Sequence, residues 1–274
     1  MTKPVRLAAV AILALVCASG AVRAEERSSF RIAWSIYVGW MPWGYIAESG
    51  IMERWADRKG IEVELVRQDY LESLESFASG AVDGVSATNM DTLAFPVAAG
   101  RDTTVVVIGD HSSGNDAVLL KEGETVADLA GKRLGLVTLS VSHYLLSRAL
   151  DAAGLTEADV ELVDVSDAEM AARFDDPDLD GVVTWNPIVA DILARPGAAN
   201  VYDSADIPGE IMDLMVVDSA TLEANPALGR ALAGAWYEAM RLMASPGPDG
   251  VAARRAMAEA AGTDLEGYEA QLYT

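Results

Sequence analysis

Met212-Asp-Leu-Met-Val-Val217 is the stretch on which the fold turns. It is an apolar run of strand length, and it follows two α/β units that need no further strand. The first unit alternates strands at Phe30–Ser35, Ile61–Arg67, Gly84–Ala87 and Thr103–Ile108 with helices at Gly44–Lys59, Tyr70–Ser79 and Asn89–Ala99. The second restarts with a strand at Ala117–Leu120. It continues with strands at Lys132–Val137, Val160–Val165 and Gly181–Thr184, and helices at Ser142–Ala153, Asp167–Phe174 and Pro187–Ala194. A strand left over after two such units is placed by returning it to the first sheet. The expected architecture is therefore α/β, with two lobes and two crossover strands, near Asp110–Asp116 and Ser204–Asp213. Residues 25–113 would begin lobe one, 114–206 would form lobe two, and 207–274 would return to lobe one with helices at Asn225–Met243 and Arg254–Ala261. Tyr273-Thr274 carries no clear helix cap, so the natural C-terminus is expected to lie further on.

Residues 1–24 read as a secretory signal peptide. Lys3 and Arg6 precede the apolar run Leu7–Val16, and Val22-Arg23-Ala24 offers a cleavage site after Ala24. The apolar run is too short to span a bilayer. The chain's one cysteine, Cys17, lies inside this leader, and bulky Val16 before it argues against a lipid anchor. The exported chain would then hold no thiol, which excludes disulfides, thiolate catalysis, zinc–sulfur sites and iron–sulfur clusters. The formal net charge of −22 excludes nucleic acid and anionic membranes as partners, and it tilts the choice of ligand toward cations or neutral solutes.

Trp34-Ser-Ile-Tyr-Val-Gly-Trp-Met-Pro-Trp-Gly-Tyr45 places five rings in twelve residues. Gly39, Pro42 and Gly44 interrupt both helical and strand periods, so the segment is expected to be a loop. A ring-rich loop behind a strand suggests a wall for a small ligand, built from Trp34, Tyr37, Trp40 and Trp43; a hydrophobic plug between core layers is the alternative. Four polar turns follow strands: Thr88-Asn-Met-Asp91, Gly114-Asn-Asp116, Ser140-Val-Ser-His-Tyr144 and Thr184-Trp-Asn-Pro187. Asn89 and Ser142 suit N-caps, and Pro187 suits a first helical turn. An indole has no use in a cap, so Trp185 is assigned to the ligand. The acids near these turns are Asp91, Asp110, Asp116, Glu210 and Asp213, and arginines are scarce there. An anionic ligand would favour Arg, Lys or clustered helix N-termini. Carboxylates and indole faces suit a planar cation, or a neutral diamide such as urea. The hydrogen-bonding set is expected to be Asn89, Asp91, Asp116 and Asn186, with Glu210 or Asp213 from the second crossover, and His143 at the cleft edge.

No metal-ligand spacing, nucleophile elbow or phosphate loop is present. Of the two histidines, His111 and His143, the latter lies near Ser140 and Ser142 and could act as a base, although packing beside a cleft is the commoner role. The expectation is a binding protein without catalytic residues, metal or cofactor.

Tyr37–Tyr45, Thr88–Asp91, Gly114–Asp116, Leu139–Leu146, Val183–Pro187 and Ile207–Met215 together resemble the periplasmic substrate-binding proteins of ABC transporters encoded beside urea carboxylase. These are similar to the larger nitrate, sulfonate and taurine type. The resemblance runs from about Phe30 to the end. It implies a two-lobed periplasmic-binding-protein fold, type II-like, which closes on a solute, works as a monomer and delivers to an ABC permease and its ATPase. It implies urea or guanidinium as the solute, since neighbouring carboxylases of this kind act on either. The rivals are a nitrate, sulfonate or taurine-type anion, a thiamine-pyrimidine precursor, and an enzyme like the thiamine-pyrimidine synthases. That enzyme reading conflicts with the missing cysteines and the export leader. Both favoured solutes have four heavy atoms, so a ceiling of about 1.5 kcal/mol per atom limits uncharged binding to tens of micromolar, and tighter binding calls for a charge pair.

Overall fold

The computed structural model describes residues 27–272; the leader with Cys17, and Tyr273 and Thr274, lie outside the described residues. The described residues form ten strands: β1 (Ser29–Trp34), β2 (Glu62–Arg67), β3 (Gly84–Thr88), β4 (Thr103–His111), β5 (Asp116–Leu120), β6 (Arg133–Leu136), β7 (Glu161–Asp164), β8 (Gly181–Trp185), β9 (Ala199–Asp203) and β10 (Met212–Asp218). They make two five-stranded sheets, ordered β2-β1-β3-β10-β4 and β7-β6-β8-β5-β9. The run at 212–217 does return to the first sheet. There β10 inserts between β3 and β4, antiparallel to both. In the second sheet β5 inserts in the same manner, antiparallel to β8 and β9, while β6 runs parallel to β7 and β8. Each lobe therefore takes one strand across a crossover.

Two glycines make these insertions possible. A Cβ on Gly84, at the start of β3, would lie 2.6 Å from the Val216 carbonyl oxygen of β10. A Cβ on Gly181, at the start of β8, would lie 2.2 Å from the Leu119 carbonyl oxygen of β5. Backbone cannot yield at such distances, so only glycine lets each incoming strand approach.

The helices are α1 (Met41–Glu48), α2 (Ile51–Asp57), α3 (Tyr70–Ala78), α4 (Asn89–Thr92), α5 (Val141–Ala153), α6 (Asp167–Arg173), α7 (Ile188–Leu193), α8 (Ser219–Ala224), α9 (Pro226–Met243), α10 (Pro248–Ala261) and α11 (Leu265–Leu272). α9 buries Leu228, Ala231, Leu232, Ala235, Trp236 and Ala239, the three-and-four spacing of one helical face. Among the described residues no helix is long and apolar enough to cross a membrane.

The ring-rich segment is not the expected loop. Val38–Trp40 forms a 3-10 turn that leads into α1. Pro42 sits in the first helical turn, where no intrahelical donor is lost. Gly44 serves packing rather than breaking the helix: a Cβ there would meet the Trp34 indole at 2.5 Å. The expected helix Gly44–Lys59 is two helices, parted at Gly50 with φ of 71°. The expected Asn89–Ala99 helix is short α4 followed by a π-turn at Leu93–Val97 that holds Pro96. β9, α8 and α11 carry too little periodicity to be read in advance, and β4 runs on past Ile108 to His111.

Candidate ligand site

Four rings form a continuous wall that crosses from one lobe to the other. Tyr37 meets Trp40 edge-on with centroids 5.2 Å apart, Trp40 meets Tyr70 at 5.3 Å, and Tyr70 meets Trp185 at 5.4 Å. All four are at least 94% buried. Tyr70 was not singled out in the sequence. It opens α3, and its hydroxyl donates to Asp91 Oδ2 at 2.5 Å. Trp185 also lines a pocket of about 290 Å³ between the lobes, together with Ile36, Gln68, Asp167, Pro187 and Ile188.

Behind the rings four carboxyls gather at the ends of the crossovers. Asp213 on β10 stands opposite Asp110 on β4, its partner in strand register. Asp116 opens β5 opposite Trp185, and Asp91 lies on α4. Asp91, Asp116 and Asp213 are 0%, 3% and 2% exposed. None of the four pairs with Lys, Arg or His among the described residues. Burial pushes the Asp116 carboxyl up to about 7, with the charges of Asp110 and Asp91 adding to the rise and the Ser112 hydroxyl opposing it. Burial raises Asp91 to about 6 against hydrogen bonds from Tyr70, Val141 and Thr88. Asp213 is held well above the usual carboxylate range by burial and then by Asp110, and burial raises Asp110 as well. Asp91 Oδ1 and Trp40 Nε1 are buried without a hydrogen-bond partner, while Asp110, Asp213 and Tyr37 stand close enough to hydrogen-bond one another. Unpaired buried polar atoms are costly, and two beside this cluster suit a site that a ligand completes.

The lobes stand against each other. The Val141 N–H at the start of α5 donates to Asp91 at 3.1 Å, Val38 N–H to the Asn186 carbonyl at 3.3 Å, and Tyr70 N–H to Asp167 at 3.4 Å. Ser204 ties the crossovers together: its hydroxyl lies 2.8 Å from that of Ser112 and accepts the Gly114 N–H at 2.8 Å, while Ser112 donates to Asp116.

Half of the expected set therefore converges here: Tyr37, Trp40, Trp185, Asp91, Asp116 and Asp213. The other half does not. Trp43 packs on Trp236 of α9 at 4.8 Å, inside lobe one. Trp34 lies on Gly44, facing the α1–α10 side. Asn89 spends its amide on the second crossover, donating to the Glu210 carbonyl at 3.0 Å and accepting the Met212 N–H at 3.0 Å. Asn186 spends its amide on Asn115 and on the Ala190 N–H. Glu210 holds Arg148 at 2.9 Å and Tyr144 at 2.5 Å. His143 accepts the Leu139 N–H and meets Glu157, on a separate rim. The caps are Thr88 and Ser140 rather than Asn89 and Ser142, since those hydroxyls accept the Asp91 and Ser142 N–H groups. Asp110 joins the site because β4 carries it there, two residues past the expected strand end.

The described residues hold no group of three or more His, Cys, Asp or Glu arranged for a metal ion. Carboxyls beside ring faces offer hydrogen-bond acceptors next to a flat apolar wall.

Residues 24–261 match the NMT1-like family. The taurine-binding periplasmic protein of Escherichia coli (strain K12) is 26% identical over 61% of this chain and 53% of its own length. The chain spans about half the length of the curated relatives it matches. The structure superposes on the periplasmic aliphatic sulphonate binding protein of Escherichia coli with a TM-score of 0.72, 23% identity, and coverage of 89% of this chain and 82% of that one. It superposes on the alkanesulfonate-binding protein of Xanthomonas axonopodis pv. citri, bound to MOPS, with a TM-score of 0.76, 21% identity, and coverage of 91% and 84%. The fold is thus the two-lobed binding-protein fold of these structures.

Proposed function

Since the chain belongs to the NMT1-like family, we propose that it is an extracytoplasmic solute-binding protein of an ABC importer, which captures a small N–H-rich cation, guanidinium, and hands it to a membrane permease and its ATPase. The observation that carries this reading is three buried carboxyls and half-buried Asp110, none in a salt bridge among the described residues, beside a wall of four rings. Guanidinium is planar, carries only donors, and can lie on an indole face while its edges bond carboxylates.

A sulfonate, the kind of solute named for the relatives, would find Arg67 on the wall of the interlobe pocket but no cation beside the four carboxyls except exposed His111 among the described residues. The N-terminus of α5 faces Asp91, and its Val141 N–H, a donor that an anion would use, is taken by that carboxylate. One observation favours a second reading. Trp40 Nε1 is a buried donor without an acceptor, which the carbonyl of a neutral diamide such as urea would satisfy.

Thermal melting with 1 mM guanidinium, urea, taurine, ethanesulfonate or nitrate tests these readings. For a dissociation constant near 10 μM the linkage relation gives about 2.7 kcal/mol of stabilisation at 1 mM, and about 2–4 °C per kcal/mol for a chain of this size makes the rise on the order of 5–10 °C. The expected result is a rise with guanidinium above all others. A rise confined to urea selects the second reading, and a rise confined to the anions overturns both.

A further inference from the structure

We propose that Asp110 and Asp213, facing each other where the two crossovers leave the first sheet, hold a shared proton in the empty cleft and release it when the cation enters, so that capture exchanges a cation for a proton. This rests on the cationic reading of the solute.

The geometry begins with the register. Asp213 and Asp110 are direct partners across the antiparallel β10–β4 pair, the position where like charges repel most. β3 offers Asp213 only uncharged Thr88 on its other side. The backbone at Gly39 closes over the pair, for a Cβ there would lie 2.3 Å from Asp110 Oδ2. The groups facing the pair from other elements are acidic or phenolic: Asp116 on β5, Tyr37 before α1, and Tyr268 on α11. Asp91 adds its charge through Asp116, with Tyr70 hydrogen-bonded to it. Among the described residues the one basic neighbour is His111, next along β4 and exposed.

Two adjacent carboxylates in such surroundings do not both ionise, and the pair titrates as a unit. Both sit higher than ordinary carboxylates, Asp213 well above. Guanidinium changes this balance. Its N–H groups donate to the carboxylate oxygens and its charge replaces that of the proton, which leaves from the carboxyl O–H to solvent. No other bond forms or breaks. Urea carries no charge and cannot displace the proton. The pair therefore discriminates by charge: guanidinium affinity rises with pH, up to about tenfold per unit for one proton released, while urea affinity stays flat.

The test is calorimetric titration with guanidinium chloride at pH 7.0 in phosphate and in Tris, buffers of different ionisation enthalpy. The difference in observed heat counts the protons. At least one proton per guanidinium is expected, and Asp110→Asn, which removes one of the cation's partners, should bind guanidinium more weakly while releasing about one proton fewer for each guanidinium bound. Asp213→Asn serves the same purpose if Asp110→Asn does not fold. Binding without proton release, or undiminished release from both variants, overturns the exchange and leaves the cationic reading standing. Absence of guanidinium binding in folded protein removes the functional reading and the exchange with it.

Discussion

Replacing Asp116 by Asn should stabilise the empty protein, and should do so only as pH rises. Asp116 is 3% exposed, its carboxyl pushed from an ordinary 3.8 up to about 7, chiefly by burial. A carboxyl raised on folding contributes stability that is present below its unfolded pKa and is lost as pH rises through its folded pKa. Roughly three units at 1.36 kcal/mol each make the whole loss about 4 kcal/mol, spread between about pH 4 and pH 7. Asn keeps an oxygen to accept the Ser112 hydroxyl and carries no charge to desolvate. The assay is thermal unfolding across pH 5 to 8, because urea and guanidinium are themselves candidate ligands and cannot serve as denaturants. At about 2–4 °C per kcal/mol, Asp116→Asn should melt on the order of 10 °C higher than the parent at pH 8, with the gap shrinking toward pH 5. A gap of the same size at both pH values, or none at pH 8, would refute the claim that an uncompensated buried charge sits at this position. The same variant should bind guanidinium at least tenfold more weakly, through loss of one charge-assisted bond of about 1.5–3 kcal/mol.

Three further substitutions separate site from scaffold. Trp185→Ala should weaken solute binding about tenfold or more, the worth of a desolvated cation–π contact, whereas Trp43→Ala should lower stability by about 3–5 kcal/mol through its packing on Trp236; titration and melting of the two variants read the contrast. Gly39→Ala brings a methyl within 2.3 Å of Asp110 Oδ2 and 2.7 Å of the buried Tyr37 ring, so affinity should fall more than tenfold and stability by about 1–3 kcal/mol, read by titration and melting. Asn89→Ala frees the Glu210 carbonyl and Met212 N–H of the second crossover; it should destabilise the fold by about 1–3 kcal/mol, checked by melting.

The sheet plan was legible because it depends on apolar runs and on glycines at fixed places. The run at 212–217 had no place in either α/β unit, and its return to the first sheet follows from that surplus alone. The rings were legible as a group but not in their directions. Trp40 ends the 3-10 turn and Trp43 lies inside α1, so the change of backbone between them turns Trp40 toward Tyr70 and Trp43 toward Trp236, and no composition argument could assign one to each. Asn89, Asn186 and Glu210 were plausible ligands by type, yet each is committed to a partner far along the chain, such as Glu210 to Arg148 across 62 residues. Tyr70 escaped notice for the same reason, since its meaning lies in Asp91, 21 residues on. Asp110 stood among the nearby acids but outside the expected hydrogen-bonding set, because the strand that carries it ends at His111, three residues beyond Ile108. Its signal was present in the acid itself, at the end of an apolar strand and beside the expected crossover.

The measurement that bears most directly on the central claim is calorimetric titration of the protein with guanidinium, urea and taurine, each at pH 7.5 and the same ionic strength. The account predicts guanidinium binding with a micromolar dissociation constant, and urea and taurine weaker by at least about a hundredfold, the 2.7 kcal/mol or so that a charge pair in a closed cleft supplies. Taurine binding tightly while guanidinium gives no heat would contradict it, and the four carboxyls would then have to be explained as something other than the solute's partners.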